Sequence, residues 1–207
     1  MIKTQFKNQI EFDTYLVEQK TNMEKGYLTV SERTQLKKML EKDYKPIFIK
    51  EVSEKLPIIS DINQLRKPCQ EVTKEDNIEE IIKKLKDTLI NNGGLGLTAN
   101  QIDIQKKISY IRVPKIEGKQ LKFTEYILIN ARIIEKDKPI QVKNEQCLSF
   151  PGVYVNTRRF IYCTVEYYDA NLVPHTVAVQ DLDSLVIQHE TDHQNSIVLF
   201  DNRWRTK

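Results

Sequence analysis

The sequence is poor in histidine and cysteine and has almost no excess of either charge. No stretch approaches the roughly 20 consecutive apolar residues that a membrane-spanning helix needs, which excludes such a helix. The opening MIKTQFKNQIEFDTYLVEQK is charged throughout and lacks the apolar run of a secretory signal. Basic and acidic residues number 32 and 29, so the net charge is +3 and gives no argument for nucleic acid or a strongly acidic partner. Cys69, Cys147 and Cys163 lie far apart and do not form a disulfide framework, so a reducing cytoplasm is the expected setting. Histidine occurs only as His175, His189 and His193, and two of these three fall in one window, QHETDH, 188–193.

What is present suits one domain with an appendage: 207 residues, of which 40% are hydrophobic. Residues 1–54 are polar and weakly periodic. Within them SERTQLKKMLEKDYKP predicts a short helix capped by Ser31, with Leu36, Met39 and Leu40 on one face and Pro46 as its stop. IFIK, 47–50, predicts a short strand. This segment carries no histidine, cysteine or glycine-rich loop and reads as a structural or partner-facing extension. Ile78, Ile81, Ile82, Leu85 and Leu89 then form one apolar stripe and predict a helix over 75–92. Thr73 and Asp76 have capping-box spacing ahead of it, and Gly93-Gly94 ends it. KISYIRV, EYILINARIIE and IYCTVEYYD are rich in β-branched and aromatic residues and predict strands over 106–179. Their separators, KIEGKQ, KDKPIQ and DANLVP, are short and favour mostly antiparallel pairing. DLDSLVIQHETDHQ, 181–194, predicts a helix on which Leu182, Leu185, Val186, His189 and His193 share a face. SIVLF, 196–200, predicts a terminal strand.

Residues four apart on a helix are neighbours, so His189 and His193 can bind one metal from adjacent turns. Glu190 sits beside that face and can reach a water there without being a ligand, which suits a general base. Two imidazoles on the apolar face of an ordinary helix would be costly if unpaired. A catalytic site of this type takes three protein ligands and leaves a position open. Candidates for the third are His175, Cys163, Cys69, a carboxylate, or Cys147, which follows Glu145 and leads into the break Phe150-Pro151-Gly152. GGLGLTANQ, 93–101, contains G-x-G-x-x-A but follows a helix instead of a strand, which argues against a dinucleotide site. Such a segment can instead bring backbone close to a ligand and aim the Gln101 amide at it.

GLGLTANQ, EQCLSFPG and QHETDH, in that order, resemble the three motifs of peptide deformylases, and the likeness runs from about Leu56 to Leu199. LPIISDINQLRKPCQEV is similar to that family's opening segment, and PGVYVNTRR to its stretch after the cysteine motif. The resemblance implies an α+β fold of mostly antiparallel sheets packed around a central H-E-x-x-H helix. It implies an enzyme that removes the formyl group from N-formylmethionyl peptides and nascent chains and releases formate. Cys147, His189 and His193 would hold one divalent metal ion, Fe²⁺ in the first place, with Ni²⁺, Co²⁺ or Zn²⁺ able to substitute. Glu190 would be the general base, and the Gln101 side chain and the Leu148 backbone N–H would stabilise the oxyanion. Gly96 would lie against the substrate, Glu145 and Gln188 would support the pocket and the metal, and Arg159 with Asp192 would link helix to sheet.

Two positions depart from the family pattern: Thr98 stands where the first of two alanines is usual, and Gln146 where glycine is usual. If that glycine needs a positive φ, glutamine would strain the site; on plain strand backbone it is harmless. Only fourteen residues follow His193. In this the chain resembles the family's short forms, including those carried by bacteriophages, and lacks the long C-terminal helix implied in ribosome contact. Residues 1–54 would be an extension and 55–207 the catalytic domain, in the cytoplasm of a bacterium or of a bacterial host. Two other readings are an H-E-x-x-H metallopeptidase and a catalytically silent deformylase-like binding protein.

Overall fold

The computed structural model describes residues 5–6, 9–25, 27–28, 30–41, 47–48, 56–117 and 120–205. They fall into two units, Met1–Val52 with Pro114–Lys122, and Ser53–Val113 with Phe123–Lys207. In the first, Gln5–Phe6 (β1) pairs in parallel with Ile47–Phe48 (β2), and Gln9–Glu24 (α1) and Val30–Met39 (α2) are helices. Phe12, Leu28, Leu36 and Met39 form its buried cluster. The predicted helix is therefore α2, which starts at Val30, one residue before Ser31. Pro46 and residues 49–50 lie outside the described residues. Helix α1 was not foreseen: its stripe of Phe12, Tyr15, Leu16 and Met23 is interrupted by Gln19, which masks the helical period.

The second unit holds the motifs. Ile62–Leu65 (α3) is one turn, capped by the Asp61 carboxylate, which accepts from Asn63 N at 2.8 Å. Ile78–Asn92 (α4) starts at Asn77, whose side chain accepts from Glu80 N at 3.3 Å. The cap is thus one position after the predicted box. Thr73 and Asp76 do bond to each other, Thr73 N to Asp76 Oδ2 at 2.8 Å, but they form the turn ahead of the helix. Gly93 ends α4 with φ +68°, the left-handed conformation that glycine tolerates without a Cβ clash.

Gly96–Thr98 (β3), Ile108–Glu117 (β4), Gln120–Glu145 (β5), Val155–Tyr168 (β6) and Pro174–Gln180 (β7) form one sheet in chain order. The pairings β3–β4, β5–β6 and β6–β7 are antiparallel, as the short connections implied. DANLVP is the turn between β6 and β7, held by the Asp169 carboxylate, which accepts from Asn171 N and Val173 N. KDKPIQ is not a connection: β5 runs through it, with Pro139 opposite Phe160. A strand this long stays in one sheet by breaking register between Ile129 and Arg132, Ile133 and Glu135, and Val142 and Glu145. Asn130 and Asn144 lie at two of these breaks with positive φ, 51° and 56°, which asparagine tolerates better than most residues.

The two faces of β4 bury different residues, as a period of two requires. Ile108 and Tyr110 pack with Leu85 and Leu89 of α4. Ile111 and Val113 pack with Val186 and Ile187 of Asp181–Gln194 (α5). Burying each such aliphatic side chain contributes about 1.5–3 kcal/mol. Helix α5 has the predicted bounds but is not one-sided. Leu182, expected on the inward stripe, is 38% exposed, while Ile187, Gln188, Glu190, Thr191 and Gln194 are all buried. It is a central helix wrapped by β3, β6 and β7, so its polar residues need partners inside the protein. The predicted terminal strand at 196–200 does not form; Leu199–Asn202 is a 3₁₀ turn in which Asp201 accepts from Val198 N at 3.0 Å.

Candidate metal centre

Two turns of α5 and the end of β5 meet at one point. Helix periodicity puts the His189 and His193 rings together, 5.1 Å between centroids. Strand β5 ends at Glu145, and the turn after it, closed by Phe150 N donating to Cys147 O at 2.9 Å, presents Cys147. Gly152 completes that break with φ +77°. Cys147 Sγ lies 3.3 Å from His193 Nε2, and one ligand atom from each of Cys147, His189 and His193 falls within 4.8 Å of the others. Bonds of roughly 2.0–2.3 Å to a tetrahedral ion place ligand atoms at about this spacing. Of the other sequence candidates for the third position, the Glu145 carboxylate bonds His189 at Nδ1, and the remaining cysteines and histidine lie elsewhere. Cys163 is buried in the sheet core, Cys69 touches the His193 carbonyl oxygen at 3.7 Å, and His175 bonds Asp169 at 3.0 Å and stacks on Tyr167.

The surrounding groups suit a cation. His189 Nδ1 donates to Glu145 Oε1 at 2.7 Å, which fixes the ring and leaves Nε2 for the centre. Glu145 also accepts from Arg159 Nε at 3.0 Å and Nη2 at 2.7 Å, and from Thr157 Oγ1. Burial opposes its charge, but His189 and Arg159 outweigh this and hold its carboxyl well below the usual range. Burial likewise opposes charge on His189, yet Cys147 and Glu145 raise it well above the ordinary histidine value. Burial, with His189 beside it, pushes His193 well below that value, so it stays neutral, the form in which imidazole binds a metal. The Cys147 sulfur and the two imidazoles are a donor set fit for a divalent transition metal.

Glu190 is 3% exposed. Burial raises its carboxyl above the usual range, with His189 and Thr98 pulling the other way. Its side chain lies over Gly96, where an added Cβ would come within 2.7 Å of the Glu190 Cδ. Gln101 is held by its own turn: Oε1 accepts from Thr98 N at 2.8 Å, which aims Nε2 at Ser149 Oγ, 3.1 Å, and Cys147 Sγ, 3.6 Å. Leu148 packs its side chain where a Cβ on Gly94 would stand, 2.6 Å from its Cδ1, and its N–H has no partner among the described residues.

The remaining motif residues tie α5 to the sheet. Strand β7 pairs with β6 only from Tyr162 onward, so Phe160 lies beyond its end. Gln188 takes both backbone groups of Phe160: Oε1 accepts from its N at 3.0 Å and Nε2 donates to its O at 2.8 Å. Arg159 bonds Asp192, and Asn202 donates to the same carboxylate at 2.8 Å. Gln146 is exposed and is not among the positive-φ residues, so glutamine brings no backbone strain there. Thr98, Ser109, Ser149, Thr157 and Gln194 were not singled out for contacts at this site. Thr98, Ser149 and Thr157 lie inside the quoted motif stretches, but their partners here come from other elements; Ser109 and Gln194 lie outside those stretches.

Residues 56–207 match the family described as Polypeptide deformylase. The chain is 34% identical over 138 residues to a peptide deformylase of Microchaete diplosiphon, covering 66% of this chain and 72% of that one. It is 33% identical over 147 residues to one from Aquifex aeolicus, covering 69% and 85%. A solved peptide deformylase from Thermotoga maritima superposes with a TM-score of 0.65 at 26% identity, over 74% of this chain and 100% of that one. The chain belongs to the polypeptide deformylase family.

Proposed function

We propose that this chain is a metal-dependent hydrolase that removes the formyl group from N-formylmethionyl peptides and releases formate, with Glu190 as its general base. The observation that carries the reading is the meeting of Cys147, His189 and His193 within 4.8 Å beside a buried carboxylate. Cys147, His189 and His193 would hold one divalent ion, iron(II) in the first place with nickel, cobalt or zinc able to substitute, and its chemistry is to activate water at neutral pH and polarise the formyl carbonyl. Glu190 accepts the proton of the attacking water and delivers it to the amine nitrogen of the departing peptide. Gln101 Nε2 and the Leu148 N–H donate to the oxygen that becomes negative as water adds. Gly96, on the strand that faces Glu190, leaves backbone open to an extended peptide. Glu145 orients His189, while Gln188 and the Arg159–Asp192 pair hold α5 against the sheet.

The same reading puts the reaction at nascent chains in the cytoplasm, with residues 1–54 as an extension and 55–207 as the catalytic part. Co-sedimentation of the full chain with ribosomes tests the placement. The reaction is tested by formate release from formyl-Met-Ala-Ser, using anaerobically purified, iron- or nickel-loaded protein. Wild type turns over, and Glu190→Ala, with metal still bound, falls by at least about 10²-fold, the scale of a general base. Equal rates for the two would remove the assignment. Cleavage of unformylated peptides would instead favour a metallopeptidase, and metal binding without turnover a silent binding protein.

A further inference from the structure

One run of buried polar side chains leads from the sheet to Glu190. Gln194 starts it. Its Oε1 accepts from Ala131 N at 2.9 Å, and its Nε2 donates to Leu128 O at 2.9 Å and to Ser109 Oγ at 2.9 Å. A backbone N–H can only donate and a backbone carbonyl can only accept, so the amide has one orientation. Ser109 Oγ lies 2.8 Å from Thr98 Oγ1, and because the Glu190 carboxylate at the other end can only accept, Thr98 spends its proton there and Ser109 is the donor between the two hydroxyls. Thr98 Oγ1, having accepted from Ser109, turns its proton to the Glu190 carboxylate, with Oε2 at 2.7 Å against 3.2 Å for the Glu190 backbone oxygen. Thr98, Ser109 and Gln194 are all fully buried, so water does not compete for these bonds. Thr98 and Gly96 are two apart on β3 and face the same side. Glu190 therefore lies over Gly96, near its Oε1, and is bonded by Thr98 at its Oε2.

We infer that Thr98 is a positioning residue for Glu190: its hydroxyl, oriented through Ser109 and Gln194, occupies Oε2 and leaves Oε1 over Gly96 as the oxygen that exchanges the reacting proton. The inference rests on the general-base reading of Glu190 given above. It also assigns a purpose to the threonine that stands where the family pattern has alanine. A carboxylate free to rotate would present either oxygen and lose the alignment a proton transfer needs.

Thr98→Val keeps the shape and removes the hydroxyl, while Thr98→Ser keeps the hydroxyl. Thr98→Val should lower kcat about tenfold or more, with KM within about twofold and metal content unchanged, because a hydrogen bond to a charged group is lost. Thr98→Ser should stay within about threefold of wild type. Wild-type kcat in Thr98→Val overturns the inference. An equal fall in both variants also overturns it, since packing would then be the cause. Should Thr98→Val fail to fold, Ser109→Ala cuts the chain one bond further back and is read in the same way. A second readout needs no turnover: Thr98→Val should lower Tm more in the wild-type background than in Glu190→Ala, where its partner is already gone. Identical Tm losses in the two backgrounds overturn the inference. If the wild type releases no formate, the deformylase reading falls, and this cycle still decides whether Thr98 holds Glu190.

Discussion

Gly96 is a glycine because of a side chain 94 positions further on, not because of its own backbone angle. A methyl group there would meet the Cγ and Cδ of Glu190 at 2.7 Å. Gly96→Ala is therefore expected to push the carboxylate aside and lower kcat about 10²-fold, the loss that follows a displacement of order 1 Å, while bound metal stays at the wild-type ratio. Retained kcat in a metal-loaded Gly96→Ala enzyme would show that Glu190 can move without consequence. Gln146 is the opposite case. It is exposed and outside the left-handed region, so Gln146→Gly should leave kcat/KM within about threefold and cost at most about 1 kcal/mol of stability through added chain freedom. A steady-state assay with a thermal melt checks both halves of that statement.

Helix α5 shows how an element can be legible in its bounds and misread in its surroundings. A one-sided stripe was expected; the helix is buried on nearly all sides, and Gln188, Gln194, Glu190 and Asp192 find partners in Phe160, Ser109, Thr98 and Arg159, while Thr191 Oγ1 and His193 Nδ1 are buried without one among the described residues. The 3₁₀ turn Leu199–Asn202 is tied to the segment after α3 by the Arg66–Asp201 pair, 2.6 Å. Burial works against the charged Asp201, but Arg66 and the Val198 N–H hold its carboxyl below the usual range. A carboxyl depressed in the folded state stabilises above its unfolded pKa and loses that contribution as pH falls through the folded value. Asp201→Asn should thus lower Tm at neutral pH by no more than about 2–4 °C, since the pair is partly exposed, and the gap should close as pH drops below about 4. A gap unchanged at pH 2 would exclude ionised Asp201 as its source.

At the scale of the molecule, the candidate metal centre joins α5 to the turn after β5, so an ion bound there would favour the folded chain. At a free metal concentration about 100 times Kd, linkage adds roughly 2.7 kcal/mol, or about 5–10 °C in Tm for a chain of this size. Calorimetry of iron- or nickel-loaded against chelator-treated protein measures it, and the difference should vanish in His193→Ala. Sequence alone determined what depends on neighbours within one or two turns: the bounds of α5, the pairing of His189 with His193, the glycine stop of α4 and the antiparallel sense of strands joined by short turns. These are periodicity, chirality and chain reach, and they act locally. The residues alone left the third ligand open and the motif resemblance named Cys147; the tertiary structure brings it to His193 across 46 positions, and only that structure decided that Glu145 bonds His189 Nδ1 across 44 and that Thr98 bonds Glu190 across 92. Such contacts depend on where register breaks in β5 turn the chain and on which polar groups are buried together, and no spacing in the sequence records either.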